Sequence, residues 1–138
     1  MKVSEAMSRD VQLARPDQPI CDAAKAMAAI DAGALPVAEN DRLVGMITDR
    51  DIAVRAVAER KGPDTPVRDV MSADIKYCFE DEDLEHVAKN MADLQVRRLP
   101  VVNREKRLVG IVALGDVAMA EGKKVAGKAV KGVSRPSA

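Results

Sequence analysis

Two seven-residue runs in this chain set a carboxylate at a fixed distance from a glycine: G-M-I-T-D-R-D at Gly45–Asp51 and G-I-V-A-L-G-D at Gly110–Asp116. In the first, Gly45 keeps side-chain bulk off the backbone where a strand hands over to a helix, Thr48 offers a hydroxyl, and Asp51 offers a carboxylate three residues later. The T-x-x-D spacing also fits a helix capping box, with Thr48 as the cap and Asp51 in the first turn against the helix dipole. In the second run Ala113 takes the place of the hydroxyl, so no reciprocal cap can form, yet Asp116 is kept. A carboxylate retained without its capping partner suggests a separate task, such as accepting the two hydroxyls of a ribose diol. Decoration of the helix dipole is the alternative.

A second asymmetry lies ahead of the strand that precedes each run, where Arg97 and Arg98 stand in one copy and Gly33 and Ala34 in the other. Two guanidiniums at the mouth of a strand fit either a solvated face or a bidentate clamp on phosphate oxygens. If the two copies face each other, these arginines project toward the cleft between them, and the helix start at Thr48 adds a second anion-friendly element. There is no glycine-rich phosphate loop. Nothing forms a nucleophile with its base, so no catalytic residue is assigned. Cys21 and Cys78 lack a C-x-x-C spacing and His86 is the one histidine, which leaves a transition-metal site short of ligands; no metal is expected.

Composition narrows the partners. Lysine plus arginine and aspartate plus glutamate number 22 each, so no net field favours nucleic acid or a membrane surface. One Tyr and one Phe are too few for base-stacking platforms. No apolar run approaches the roughly 20 residues that cross a bilayer, and nothing resembles a signal peptide. At 138 residues, 47% hydrophobic and 32% charged, the chain is expected to be a cytoplasmic globular protein without nucleic-acid or membrane partners.

The elements that position these residues come in duplicate. V-S-E-A-M-S at Val3–Ser8 returns as V-R-D-V-M-S at Val67–Ser72, and L-P-V at Leu35–Val37 returns at Leu99–Val101, both at an offset of 64 residues. R-L-V-G at Arg42–Gly45 returns at Arg107–Gly110 at an offset of 65, so a polar turn in the second copy carries one extra residue. Each copy reads strand, helix, strand, strand, helix. Val11 and Leu13 mark a short first strand; Ile20, Ala23, Ala24, Met27 and Ile30, matched by Leu84, Val87, Ala88, Met91 and Leu94, mark a buried helix face. Hairpins around L-P-V lead into amphipathic helices near Asp49–Arg60 and Gly115–Val125. A unit of about 60 residues buries little apolar surface alone, so the copies are expected to share a core. The expectation is an α/β (α+β) fold of two tandem β-α-β-β-α repeats packed with pseudo-twofold symmetry. Residues 1–62 form the first repeat, 63–66 a linker, 67–125 the second, and 126–138 a basic tail.

The duplicated unit, the A-x-x-M runs leading to L-P-V, and the G-h-x-T-x-x-D signature resemble a tandem pair of cystathionine β-synthase (CBS) domains, the Bateman module, over roughly Val3–Gly122. The resemblance implies a cleft that binds AMP, ADP, ATP or S-adenosylmethionine as a regulatory ligand, with no catalytic cofactor. It implies that Asp51 and Asp116 hold ribose and that Thr48, Arg97 and Arg98 meet phosphate. It further implies that Val11, Leu35, Pro36, Val37, Leu99, Pro100 and Val101 frame the adenine. Ala113 departs from the signature. A homodimer signalling to a regulated protein is the implied assembly; a ligand-independent dimerisation or scaffold module is the alternative.

Overall fold

The computed structural model describes residues 1–121, and they divide into two compact units, Gln12–Ile75 and Met1–Val11 with the chain from Lys76 onward. In the first unit, α1 (Ile20–Ile30) turns Ile20, Ala23 and Met27 inward, while Ala24 and Ile30, at the margin of the same stripe, stay exposed. Asp31 ends the helix in the left-handed region, φ 53°, where its N–H returns to the Met27 and Ala28 carbonyls. Strands β1 (Ala34–Glu39) and β2 (Arg42–Thr48) pair antiparallel with a bulge between Val37 and Ala38. Their turn residues Asn40 and Asp41 both have positive φ, 52° and 66°, the backbone that a two-residue hairpin turn requires. β2 runs into a short α2 (Asp49–Asp51) that widens into a π-helical turn over Ile52–Val57. Leu35, Val37 and Ile47 pack with Ile20, Ala23, Met27 and Ala56.

The second unit follows the same plan. A two-residue β3 (Cys78–Phe79) lies parallel to β4 (Arg98–Val102), reached through α3 (Leu84–Leu94). β4 pairs antiparallel with β5 (Leu108–Ala113), which leads into α4 (Leu114–Glu121). Leu84, Val87, Ala88 and Met91 are buried together with Leu99, Val101 and Val112. Met27 and Met91, at equivalent places, are 6% and 0% exposed, as core filler should be. The expected strand at Val11 and Leu13 is reduced to a single parallel bridge one residue later: Ala14 donates to Pro36 O and accepts from the Ala38 N–H. Leu13 is 38% exposed, so it is Ala14 that enters the core.

Each unit is completed by the opening segment of the other repeat. Val67 and Val70, which begin the second repeat, are fully buried in the unit of residues 12–75, and Val3, which begins the chain, is fully buried with Val87 and Val101. Burying one valine is worth about 1.5–3 kcal/mol. The backbone fits follow suit. Helix α1 has no side-chain cap, and its first N–H groups instead donate to Thr65 O and Pro63 O; at α3, Leu84 N–H donates to Met1 O. These contacts satisfy amides that a helix start otherwise leaves open. The segments then bridge the second hairpin strand: Met46 and Ser72 exchange N–H···O bonds of 2.9 and 2.8 Å, as do Ile111 and Ser8.

Gly45 and Gly110 make that approach possible. A Cβ at Gly45 would lie 2.7 Å from Met71 Sδ and 2.9 Å from Ser72 O; at Gly110 it would lie 2.6 Å from Met7 Sδ and 2.8 Å from Ser8 O. A thioether can swing aside, but the carbonyl is fixed by its own bond. Gly45→Ala and Gly110→Ala are therefore expected to lose about 1–3 kcal/mol in denaturant unfolding, as overpacked sites do, and trimming Met71 or Met7 to Ala should not restore the loss.

At the rim of the second unit Arg104 grips Asp81 with both forks, 2.8 and 2.7 Å, and lies 4.3 Å above the Phe79 ring, which meets Tyr77 edge-on. The guanidinium holds the Asp81 carboxyl below the usual range. Beneath, burial and then the Glu82 charge push the Cys78 thiol up to about 12. A disulfide-exchange reagent at about pH 8 is expected to label half-buried Cys21 in the native chain and Cys78 only after denaturation.

Candidate functional site

The two signature runs end at equivalent corners, one in each unit, where a hairpin strand passes into a helix. In the unit of residues 12–75 the corner is a complete capping box: Asp51 N–H donates to Thr48 Oγ1 and Thr48 N–H donates to Asp51 Oδ2, both at 3.0 Å. Thr48 is half-buried, and the Asp51 side chain keeps 18% of its surface. Because the hydroxyl accepts, its own proton remains for an incoming acceptor. Oδ1 of Asp51 takes no part in the box and faces Arg55 Nε at 3.9 Å. Opposite the corner, Ala34 pairs with Thr48, and Asp49 N–H donates to Gly33 O.

At the second corner Asp116 repeats half of the box. Ala113 N–H donates to Asp116 Oδ2 at 2.9 Å, and Ala113 has no hydroxyl to reciprocate. The retention of Asp116 thus has a structural cause that the loss of the hydroxyl had seemed to remove: the carboxylate caps a backbone amide that any residue at position 113 would supply. One oxygen of each aspartate is tied down in this way, and the other lies outside that bond.

Arg98 pairs with Ala113 across the hairpin and Leu114 N–H donates to Arg97 O, so the backbone of both residues borders the corner of Asp116, and both residues are exposed. The corner of Asp51 has Gly33 and Ala34 at those places, where a Cβ on Gly33 would lie 2.9 Å from Asp49 Oδ2. Along the backbone, Thr48 therefore neighbours Asp51, and Arg97 and Arg98 neighbour the corner of Asp116. Of the residues assigned to an adenine pocket, Leu35, Pro36, Val37, Leu99, Pro100 and Val101 are buried and Val11 is half-buried. The side chains of Leu35, Val37, Leu99 and Val101 fill the two cores. Their strands offer a ligand backbone rather than side chains, and Pro36 O already accepts from Ala14.

Arg55 was not among the residues singled out from the sequence. Its position four residues after Asp51 on an expected helix was the available signal, since such pairs are neighbours on a helix face. Among the described residues no group of three or more His, Cys, Asp or Glu side chains is placed to hold a metal ion, and no helix is long and apolar enough to cross a membrane.

Comparison with known proteins agrees with the duplication. The family model for the CBS domain matches residues 3–57 and 67–123. The CBS domain-containing protein YhcV of Bacillus subtilis is 44% identical over 117 residues, 85% of this chain and 83% of its own length. The crystal structure of Hypoxic Response Protein I with two coordinated zinc ions is similar with a TM-score of 0.76 and 33% identity, covering 87% of this chain and 98% of that one. The CBS domain pair of protein MJ0100, in complex with 5′-methylthioadenosine and S-adenosyl-L-methionine, is similar with a TM-score of 0.70 and 30% identity over 86% of this chain and 94% of its own.

The box makes a stability prediction. Thr48→Ala should lower stability by about 1 kcal/mol through the lost cap, and Ala113→Thr should raise it by a similar amount by completing the second box. Thermal melts of both variants check the pair.

Proposed function

Because the chain belongs to the CBS-domain family, we propose that it is a regulatory module that binds an adenosine-containing molecule and carries out no chemistry on it. The observation that carries this reading is the pair of corner carboxylates, each with one oxygen anchored by a backbone N–H and the other outside that anchor. A preset acceptor of this kind suits a vicinal diol, whose hydroxyls both donate. The MJ0100 pair supplies the ligand class, since it is in complex with two adenosine derivatives. In this proposal Asp51 and Asp116 take ribose hydroxyls, the Thr48 hydroxyl donates to phosphate, and Arg97 and Arg98 balance phosphate charge. The domain limits are those of the repeats, 1–62 and 67–125, and the basic tail at 126–138 lies outside the described residues.

The module is further proposed to be a homodimer. Ile30, Val54 and Val57 of one unit and Leu94 and Met119 of the other stay 37–91% exposed on helical segments, apolar surface that a second copy would cover. Sedimentation at micromolar concentration should show the dimer; a monomer there excludes it.

Calorimetry with AMP, ATP, adenosine and S-adenosylmethionine on protein stripped of co-purified ligand tests the binding. A scaffold module would show no saturable uptake. Asp51→Asn keeps an acceptor for the Thr48 N–H but loses the charge, and is expected to weaken binding by about 1–2 kcal/mol, roughly five- to thirtyfold in Kd. Asp51→Ala would also lose the cap, so it mixes stability with affinity. Arg97→Ala with Arg98→Ala should weaken AMP and ATP more than adenosine; equal losses would return those side chains to the solvated surface.

A further inference from the structure

Asp51 is joined by one further residue to the segment that closes its unit. The Arg55 Nε edge faces Asp51 Oδ1 at 3.9 Å, and its Nη1 donates to Met71 O at 3.1 Å and, more weakly, to Val70 O at 3.4 Å. Those two carbonyls belong to the opening segment of the second repeat, immediately before Ser72, whose exchange of hydrogen bonds with Met46 pins the segment to β2. The guanidinium is strung between the corner carboxylate and the clasp. Asp51 Oδ2 is committed to the Thr48 N–H, so Oδ1, the oxygen that faces Arg55, is also the one left for a diol. The second unit lacks the device, because Ala120 occupies the place of Arg55 four residues after Asp116.

We propose that Arg55 is a positioning residue that couples occupancy of Asp51 to the hold on residues 67–72, so that a ligand engaging Asp51 Oδ1 loosens that segment in the first unit alone. This rests on the reading of Asp51 as a diol acceptor. Hydroxyls donating to Oδ1 draw its charge away from Nε; the guanidinium loses one of its two anchors, and its Nη1 bonds to the carbonyls become less persistent. The pair is long and half-exposed, so the coupling is modest. It is also reciprocal: if ligand loosens the clasp, a loosened clasp binds ligand better by the same factor.

Amide hydrogen exchange of the full chain, read residue by residue by NMR, tests this with Ser8 and Ile111 as the internal control. Without ligand, Arg55→Ala and the milder Arg55→Gln should speed exchange at Ser72 and Met46 on the order of threefold, the scale of one lost hydrogen bond, and leave Ser8 and Ile111 unchanged. Asp51→Asn should speed the same two amides in the native background and add nothing in the Arg55→Ala background. Equal effects of Asp51→Asn in both backgrounds, or exchange at Ser72 indifferent to Arg55, would overturn the proposal. AMP, the probe ligand, should speed Ser72 in the native chain and not in Arg55→Ala, and should bind Arg55→Ala slightly more tightly. A generally damaged fold would instead bind less. If AMP fails to bind any variant, the nucleotide reading fails, while the ligand-free arms still decide the coupling.

Discussion

The constraint on which this structure depends is that a carbonyl must lie against the α-carbon of a glycine in the second strand of each hairpin. Ser72 O at Gly45 and Ser8 O at Gly110 reach positions that any side chain would occupy. Only with that space open can the segments at residues 67–72 and 3–8 exchange hydrogen bonds with Met46 and Ile111 and lower their valines into the cores. Among the described residues the sheets are small, two strands in one unit and three in the other. A hairpin alone is marginal in water; the added segment supplies buried apolar surface, and the residues just before it, Pro63, Thr65 and Met1, supply the carbonyls that cap the helix starts. Gly45 and Gly110 also open the signature runs, so the glycine that core closure requires and the carboxylate of the proposed site lie in one seven-residue run in each repeat.

The capping geometry ties one oxygen of each corner carboxylate to a backbone N–H and leaves the other outside that bond. A side chain that caps a backbone amide is already oriented, so little further ordering is needed when a ligand meets its second oxygen. Under the proposed function, structural and binding duties are not rivals at Asp51, as the spacing alone had made them seem. They divide the two oxygens between them. At the other corner the same division holds with less support, Asp116 acting as a one-way cap beside two exposed arginines. The corners thus differ in which polar groups accompany the carboxylate, while the carboxylate itself is held alike.

Much of this was legible in the sequence where periodicity or spacing speaks directly. The buried stripes of α1 and α3, the equivalent Met27 and Met91, the two hairpins and the Thr48–Asp51 box all follow from side-chain pattern. What escaped was carried by the backbone. The bond that explains Asp116 comes from the Ala113 amide, which every residue type supplies and no motif records. The repeat V-x-x-x-M-S was plain, but likeness between two segments does not say which core each enters. Val11 and Leu13 alternate as a strand should, yet the one bridge forms at Ala14, because a lone edge residue is chosen by its fit against Val37 rather than by alternation. Arg55 is visible as a spacing from Asp51, but its other partners, Val70 O and Met71 O, are main-chain atoms some fifteen residues away that no side-chain pattern marks.

The exchange of opening segments also makes the two units unequal in time. Residues 12–75 are contiguous, so as the chain leaves the ribosome that unit has all its parts as soon as Ile75 has emerged. The other is split: its Val3 and Ser8 are made before the contiguous unit, and Ile111, with which Ser8 pairs, is made after it. From the emergence of Ser8 to that of Ile111 the segment at residues 3–8 therefore lacks its strand partner while the contiguous unit is completed, and domains completed early in translation generally fold first. Closure of the later unit pairs residues more than a hundred positions apart, a long loop whose entropy must be met before its contacts repay it. The two halves of the duplication thus meet different folding problems, set by order along the chain alone.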